Sequence, residues 1–369
     1  GLETLPFDII NLLLSLYFII FSVFKNKSWH SKYFKSTTFF IKLFFLAFIL
    51  STITAYYDWN QGFYTTFIAS RSLLWVSFGL YLIKSKTTFN QIKSAFTYFT
   101  WIYIIFSLLV FLVPDLKPQL IYLDEDNAHK IDEAIFYGLL YTLIPFYINL
   151  DKIVSRVKLT TLELIQFLLT IVIIFLSESR ATLFTILVII GLAYVFNSKY
   201  NLFQKSLIII AFSLISIFYL VDEISPLLEE TAEQLSDDTY PRMRGLIYYS
   251  NFFSKSNLGY LLGNSVGSSK VFYGQFLDEL KYLYGIYISD LGLFGTWVYF
   301  GLMSLVAIFA PIFKIFKSGK KFSAFKYIGL HVVLAWTYFL FLPQSTFVFF
   351  ISTLYMFDYK VIQNNTIND

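Results

Sequence analysis

Apolar runs of membrane-spanning length follow one another along almost the whole chain, with short polar connections between them. A helix that crosses a bilayer needs about 17–25 predominantly apolar residues. Runs of this kind lie near residues 6–24, 39–57, 63–83, 96–113, 134–150, 161–177, 180–196, 204–221, 286–313, 325–342 and 345–360. The pattern predicts an all-α integral membrane protein with about eleven transmembrane helices, in which residues 1–369 form a single polytopic membrane domain.

The polar connections alternate in charge. Basic residues dominate the connections near 25–42, 84–93, 152–158, 199–205 and 314–326, and acidic residues dominate those near 115–133 and 222–238. Because positively charged connections stay in the cytoplasm, the alternation places the N-terminus outside, the C-terminus inside and every run in the required direction. Residues 222–285 then form a large extracytoplasmic loop, and a loop of this length usually has a function.

The composition agrees with a membrane protein and excludes several kinds of chemistry. Hydrophobic residues make up 57% of the chain and charged residues only 14%, whereas soluble domains carry about 25% charged residues. The absence of cysteine excludes disulfides and a cysteine nucleophile. With three dispersed histidines and a net charge of +4, we expect no metal site, no other cofactor and no nucleic-acid partner.

A charged interruption, Ser177-Glu178-Ser179-Arg180, separates two apolar runs on the predicted outer side. A charged side chain costs about 2.5–3.5 kcal/mol at the bilayer centre, so charges kept near hydrocarbon usually handle a substrate or an ion. If Ser179 caps a helix that begins near Arg180, the free amides of that helix also favour an anion. The plainer interpretation is an N-cap followed by an arginine at the headgroup level.

The extracytoplasmic loop carries signals for short helices and a glycine-rich turn. Thr239-Tyr240-Pro241 predicts a helix start, and that helix carries Arg242 and Arg244 before an expected stop near Gly259. The turn Gly263–Gly267 follows, where backbone amides can approach an anionic or sugar ligand closely. The loop therefore combines short helices, two cations and a flexible backbone on the predicted outer side.

The next apolar run begins with Asp290-Leu291-Gly292-Leu293-Phe294-Gly295. With the Ser177–Arg180 interruption and the arginine helix followed by its glycine turn, this segment resembles the family of polytopic bacterial polysaccharide polymerases and ligases. That family contains the O-antigen and capsule repeat-unit polymerases of the Wzy type and the lipopolysaccharide O-antigen ligases. The order, spacing and predicted external placement all fit, and the resemblance covers about residues 160–310.

The resemblance implies a glycosyltransferase that moves a growing glycan from undecaprenyl diphosphate onto the next lipid-linked repeat unit. It implies a multi-pass protein of the bacterial inner (cytoplasmic) membrane with its active site on the periplasmic face, formed in part by residues 222–285. The partners that it implies are undecaprenyl-diphosphate-linked oligosaccharide, membrane lipids and a chain-length regulator protein.

The same resemblance assigns roles to particular residues. The departing diphosphate gains charge, which arginine binds in a bidentate way, so a clamp of Arg180 and Arg244 with Arg242 beside it is implied. The candidate general bases, which stay unranked, are Asp278, Glu279, Asp290 and Glu178. Further candidate substrate contacts are Ser179, Tyr248, Gly263, Gly267, Lys281 and Tyr284. Arg71, which lies outside the region of the resemblance, is a candidate contact because it is the deepest basic residue of the apolar runs.

Several of these residues have plainer structural interpretations. The two loop arginines can pair with the acidic residues at 229–238, and Asp290 can cap the helix that follows it. The glycines can serve turns and close helix packing. Arg71, the deepest basic residue of the apolar runs, can bind a lipid phosphate or extend its side chain to the interface.

Two other functions stay open beside the polymerase. Ligases of the family usually carry a histidine about eleven residues before the Leu-Gly glycine, where this chain has Lys281, so the departure favours polymerase over an O-antigen ligase that uses lipid A-core. A membrane transporter or a flippase for lipid-linked oligosaccharide is the alternative from another class. Such a protein is expected to carry charges near the bilayer midplane on broken helices.

Overall fold

A computed structural model describes residues 5–24, 33–113, 130–176, 180–195, 241–252, 254–319, 323–337 and 339–368. All regular secondary structure within these ranges is helical. In chain order the α-helices are α1 (Leu5–Phe24), α2 (Lys35–Trp59), α3 (Phe63–Ala69), α4 (Ser77–Ser85), α5 (Phe89–Leu112), α6 (Lys130–Val154), α7 (Thr161–Leu176), α8 (Arg180–Val195), α9 (Pro241–Phe252), α10 (Asn257–Leu262), α11 (Phe272–Tyr284), α12 (Gly292–Lys317), α13 (Ser323–Leu334) and α14 (Gln344–Asn368). Two 3-10 turns, the Arg71 turn (Arg71–Val76) and the Asp290 turn (Ile288–Leu291), precede α4 and α12.

Three helical stretches in the described ranges are long and apolar enough to cross a membrane. They are α2, α5 and the stretch Ile288–Lys317, which joins the Asp290 turn to α12. A fourth is added if α3 and the stretch Arg71–Ser85, which meet at a bend of 67°, form one span. The all-α membrane class is therefore supported, while about eleven spans and an extracytoplasmic loop stay predictions. The predicted span 204–221 lies outside the described residues.

The packing is dense inside, and much of the outside is apolar. Phe44 of α2 lies 5.4 Å from Phe300 of α12 and 5.3 Å from Phe347 of α14, measured between ring centroids. These three helices therefore enclose the centre of the core. On the outside, Ile102 is 64% exposed and Phe184 68% exposed. Soluble monomers rarely expose extended apolar surface, so this outside suits contact with lipid.

The start of α2 and the C-terminal parts of α12 and α14 meet at one end of the structure. Lys314 Nζ donates to Ser36 Oγ at 2.8 Å and lies 3.5 Å from Asp358 Oδ1. Asp358, only 1% exposed, accepts hydrogen bonds from the Thr37 amide at 2.9 Å and from the Thr37 hydroxyl at 3.1 Å. The carboxylate of α14 therefore stabilises the first turn of α2, where helix amides have no partner of their own.

A second ionic cluster joins α5, α6 and α7. Glu163 Oε1 accepts hydrogen bonds from Lys152 at 2.6 Å and from Lys93 at 3.1 Å. The residues of both clusters come from connections or helix ends that the charge alternation assigns to the cytoplasm. We call the side of the molecule that carries these two clusters the lysine-rich end. The meeting of these helix ends agrees with the predicted up-and-down course of the helices.

The predicted span 325–342 is wrong in its second half. Helix α13 ends at Leu334, and residues 339–343 are not helical. The backbone is instead bonded to α12, because the Leu293 amide donates to the Trp336 carbonyl at 2.7 Å and the Phe341 amide to Thr296 Oγ1 at 2.9 Å. Non-helical backbone at membrane depth is tolerated where protein groups satisfy it in this way.

Candidate functional site

The segment from α9 to the Asp290 turn packs on itself and on the end of α2 opposite the lysine-rich end. Helix α9 starts at Pro241, as the sequence predicts. Gly245 lets α9 approach the Asp290 turn, because a Cβ there would lie 3.1 Å from the Leu291 side chain. The predicted stop at Gly259 is wrong, since Gly259 lies inside the short helix α10, which is capped by the Ser256 hydroxyl.

The glycine-rich turn is held by the polar end of α2. Gln61, fully buried, donates through Nε2 to the Val266 carbonyl at 2.8 Å and to Thr66 Oγ1 at 3.0 Å. Its Oε1 accepts a hydrogen bond from the Ser268 amide at 2.9 Å. Trp59 Nε1 donates to Asn264 Oδ1 at 3.0 Å. Gln61 and Trp59 therefore connect the end of α2 to a turn that is far away in the sequence. Trp59 and Asn264, which form one of these bonds, are 205 positions apart.

The same turn pairs with a break inside α12. Gly301 has φ 71° and ψ −178°, so the helical hydrogen bonding stops there. The freed carbonyls of Val298 and Tyr299 accept hydrogen bonds from the amides of Asn264 at 2.9 Å and Ser265 at 2.7 Å. The amides of Asn264 and Ser265 therefore bond to α12, and through these bonds the turn supports the candidate site.

Both Gly263 and Gly301 are needed for this close approach. A Cβ on Gly263 would lie 2.4 Å from the Gly301 amide nitrogen, and a Cβ on Gly301 would lie 2.3 Å from the Leu261 carbonyl oxygen. Gly267 is also crowded, because a Cβ there would lie 2.8 Å from the Leu277 side chain. The structure thus gives the predicted turn glycines a packing function, and ligand contact by Gly263 or Gly267 stays a prediction.

Arg244 belongs to α9, and its side chain lies next to the C-terminal end of α11. Its Nη1 donates to the Tyr284 carbonyl at 3.2 Å, and α11 ends at Gly285, which adopts the left-handed conformation with φ 65°. The last carbonyls of a helix carry partial negative charge, so this position suits a guanidinium. One donor group bonds to the carbonyl, and no ion pair with Arg244 occurs within the described ranges.

Two tyrosines, Tyr248 and Tyr284, lie next to Arg244. Tyr248 is one helical turn away on α9, and burial followed by the nearness of Tyr284 raises its pKa above 10.0. Burial also raises the pKa of Tyr249 of α9 and of Tyr273 of α11, whose side chains are buried. These hydroxyls therefore stay protonated at neutral pH and serve as neutral hydrogen-bonding groups. Tyr284 remains 49% exposed, which leaves its ring available to a ligand such as a sugar.

Asp290 occupies the 3-10 turn that packs against α9. The interpretation of Asp290 as the cap of the following helix is wrong, because Leu291 holds the N-cap position of α12 and no side chain caps it. The Asp290 carboxylate accepts a hydrogen bond from the Ser289 hydroxyl at 3.3 Å.

The other candidate acids lie on α11. Asp278 is half-buried and Glu279 is exposed, and neither forms an ion pair with a described residue. Lys281 lies on the same helix, with its Nζ 5.2 Å from the Tyr282 ring centroid and 5.4 Å from that of Tyr287. Which of Asp278, Glu279 and Asp290 acts as the base stays a prediction.

Half of the predicted clamp lies outside the part of the chain that the structure describes. Ser177, Glu178 and Ser179 are outside the described residues. Helix α8 begins at Arg180 and α9 includes Arg242, but the side chains of these two arginines are likewise outside the description. The pairing of Arg180 with Arg244 therefore stays a prediction.

Arg71 lies apart from the site formed by α9, α11 and the Asp290 turn. It begins the 3-10 turn at the bend after α3, with Nη1 3.3 Å from the Ile68 carbonyl, and faces residues of α1 and α14. Within the described ranges, the His, Asp and Glu side chains form no cluster of three or more suited to a metal ion. The expectation of a metal-free site stays a prediction.

Gln61 and Gly301 are the residues of this region that sequence reasoning missed. Gln61 has a local signal, since it belongs to the polar interruption Asp58-Trp59-Asn60-Gln61-Gly62 between two apolar runs. Gly301 has none, because it lies within a continuous apolar run. Comparisons of the chain with protein-family models, with curated proteins and with solved structures give no match.

Proposed function

We propose that the chain is a membrane glycosyltransferase of the polysaccharide-polymerase type. It transfers a growing glycan from undecaprenyl diphosphate onto a lipid-diphosphate-linked repeat unit. The observation that carries the proposal is the corner where Arg244 and Tyr248 of α9 meet Tyr284 of α11 beside the Asp290 turn. A cation, a carboxylate and sugar-sized aromatic surface come together there.

The chemistry needs a cation where negative charge develops. An acceptor hydroxyl oxygen attacks the anomeric carbon, the bond from that carbon to the diphosphate oxygen breaks, and the diphosphate leaves with the electron pair. Arg244 stabilises the leaving group through the guanidinium donors that the Tyr284 carbonyl does not use. In this proposal Arg180 and Arg242 complete the clamp, so no metal ion is needed to neutralise the diphosphate.

The proton of the acceptor hydroxyl must pass to a base. Asp290 is our first choice, because its turn packs against the helix that carries Arg244 and because its carboxylate has no capping role. Asp278 and Glu279 are the alternatives on α11. Tyr248 and Tyr284 hold the sugar rings, and their hydroxyls donate to sugar oxygens.

The cellular setting belongs to the proposal as well. We place the protein in the bacterial inner membrane, with residues 222–285 forming part of an active site on the periplasmic face. A chain-length regulator protein is the expected protein partner. Lys281, at the position where ligases usually carry histidine, favours polymerisation over transfer to lipid A-core.

A direct test incubates the purified protein with a synthetic lipid-diphosphate-linked repeat unit. Polymerisation gives a ladder of products that differ by one repeat. A single transfer that occurs only when lipid A-core is added identifies a ligase and refutes the polymerase. The protein is assayed after incorporation into lipid bilayers, and its melting temperature shows that it is folded. A missing ladder then reports on function rather than on folding.

A transporter or flippase is the second candidate, and one observation favours it. The described residues contain a bent span at Arg71, a break in α12 at Gly301 and a non-helical stretch at 339–343. Interrupted helices often form transport sites. A proteoliposome assay separates the two functions, because a flippase moves the lipid-linked repeat between leaflets without lengthening it.

A further inference from the structure

The short helix α10 packs alongside α12 rather than on its end. The Tyr260 carbonyl of α10 accepts a hydrogen bond from Trp297 Nε1 at 2.8 Å. One turn further along α12, a Cβ on Gly301 would collide with the Leu261 carbonyl oxygen, so the two backbones touch there. Helix α10 therefore lies against α12 between Trp297 and Gly301.

Two helices give the depth of this contact. Gly301 precedes Lys314 of the lysine-rich end by 13 positions and stands about 20 Å above it at 1.5 Å per residue. Asp58, near the other end of α2, follows Ser36 by 22 positions and stands about 33 Å above it by the same measure. Both distances start at one level, because Lys314 donates to Ser36. The hydrocarbon core of a bilayer is about 30 Å thick, so Leu261 lies roughly 10 Å inside a slab of that thickness, and Asp58 lies at its boundary.

The course of the chain connects these two levels. Ser256, which caps α10, donates from its hydroxyl to Asp58 Oδ2 at 2.6 Å, while Leu261 near the end of α10 touches Gly301. A helix of 6 residues is about 9 Å long, which fits the descent. The glycine turn then brings the chain back, since the Ser268 amide bonds to Gln61 just beyond the end of α2. The segment thus enters the slab and leaves it on the same side.

The outer face of α10 is apolar. Leu258 is 62% exposed and Leu261 54% exposed, and their spacing of three positions puts them on one face of the helix. Water opposes such exposure, because apolar surface left in water costs about 25 cal/mol per Å² relative to burial. The backbone beside this face is satisfied within the protein, as the Asn264 and Ser265 amides bond to α12. Irregular backbone is tolerated at membrane depth under that condition.

We propose that α10 and the glycine turn form a re-entrant segment whose exposed leucines contact lipid acyl chains. The leaflet concerned is the one opposite the lysine-rich end. Lipid is the occupant because Leu258 and Leu261 lie at the depth of the apolar outside of the spans and extend that apolar surface. The inference needs α2 and α12 to be membrane spans, but it does not depend on glycan transfer.

The test uses single spin labels, which the absence of cysteine in the chain allows. Leu258→Cys and Leu261→Cys are each labelled with a nitroxide in the full chain, in vesicles of phosphatidylcholine and phosphatidylglycerol. The measurement compares collisions of the nitroxide with oxygen, which concentrates in hydrocarbon, and with a water-soluble nickel chelate. The matched references lie on α5. Asn90→Cys at its exposed start reports water, and Ile102→Cys, 64% exposed and 12 positions further on, reports hydrocarbon.

We expect the ratio of oxygen to nickel collisions to rise in the order Asn90, Leu258, Leu261, Ile102. The Leu261 label should lie about 10 Å below the hydrocarbon boundary. Ratios at both leucine positions equal to the ratio at Asn90 would place α10 in water and overturn the proposal. Few collisions with either reagent would mean that a second copy or another part of the chain covers the leucines, and this would overturn it as well.

A second measurement needs no substitution and covers the case in which a cysteine variant has a lowered melting temperature. The wild-type chain is irradiated in vesicles that contain a lipid with a diazirine in its acyl chain, and the crosslinked peptides are identified by mass spectrometry. Crosslinks to the peptide that contains Leu258 and Leu261 support the proposal, and crosslinks confined to other helices would overturn it. Because no turnover is measured, either result is independent of the glycosyltransferase proposal.

Discussion

The contact between Gly263 and Gly301 is the part of the site whose geometry is most exacting. Gly301 combines φ 71° with ψ −178°, a backbone conformation that essentially only glycine adopts. A Cβ there would lie 2.3 Å from the Leu261 carbonyl oxygen and 2.7 Å from the Gly263 amide nitrogen. Alanine at 301 must therefore push the turn away from α12 or distort the break itself.

The cost follows from what each response loses. Forcing alanine into this conformation costs about 1–3 kcal/mol, and overpacking costs about 1–3 kcal/mol. If the turn moves away instead, the hydrogen bonds donated by the Asn264 and Ser265 amides are lost at about 0.5–1.5 kcal/mol each. We therefore expect Gly301→Ala to lower the free energy of unfolding by about 2–5 kcal/mol.

The assay is a double-mutant cycle on thermal unfolding in one detergent. Gly263→Ala, whose Cβ would meet the Gly301 amide nitrogen at 2.4 Å, should cost a similar amount. The double variant should cost less than the sum of the two by about 1 kcal/mol or more, because either change alone separates the same two backbones. Gly191→Ala is the matched control, since a Cβ at Gly191 of α8 has no neighbour within 4 Å.

Two results would refute this reasoning. One is a Gly301→Ala variant that unfolds at the same temperature as Gly191→Ala. The other is a double variant whose loss equals the sum of the single losses, because independent sites would then be involved. The Gly301→Ala and Gly263→Ala variants should also be cleaved faster by a protease between α9 and α11, because the turn that supports this segment loosens.

Three further predictions concern other contacts. Asp358→Ala removes a buried acceptor from Thr37 and Lys314 and should lower the free energy of unfolding by about 3–5 kcal/mol. Asp358→Asn keeps one acceptor and should cost less. Equal stability of Asp358→Ala and wild type would contradict the contact of Asp358 with Thr37. Gln61→Leu leaves the Val266 carbonyl and the Ser268 amide without partners, so about 2–4 kcal/mol should be lost, and an unchanged proteolysis rate would speak against the connection. Tyr248→Phe should keep most glycan transfer while Tyr248→Ala lowers it, and equal effects would exclude stacking.

The sequence predicted those features that depend on local signals. Pro241 can start a helix because its missing N–H lies where helix amides are free, and α9 begins there. The predicted helix start near Arg180 is also confirmed, since α8 begins at that residue. The charge alternation assigns Lys314, Lys152 and Glu163 to one side of the membrane, and that assignment stays a prediction.

Features that depend on tertiary contact escaped the sequence. The break at Gly301 is satisfied by amides of a distant turn, so nothing near Gly301 in the chain signals it. The end of α13 at Leu334 has a similar cause, because the Trp336 carbonyl and the Phe341 amide beyond it bond to groups of α12. Pro343 gives the one local hint, since the residue before proline avoids the helical conformation.

The glycine turn shows how a motif can be located correctly and still have a second function. The turn was predicted to bring amides to a ligand, yet the Asn264 and Ser265 amides bond to α12. The turn nevertheless packs against α11 and so supports the candidate site. The stability predictions above therefore test the support of Arg244, while a kinetic measurement tests Arg244 itself.

The central claim is that Arg244 stabilises a departing diphosphate. The measurement compares ladder formation from a synthetic lipid-diphosphate-linked repeat by wild type, Arg244→Gln and Arg244→Lys, with Arg156→Gln as a control of equal charge loss. We predict that Arg244→Gln lowers the transfer rate about 100-fold or more at an unchanged melting temperature, that Arg244→Lys keeps a small part of it, and that Arg156→Gln matches wild type. A ladder of wild-type length and rate from well-folded Arg244→Gln would contradict the account.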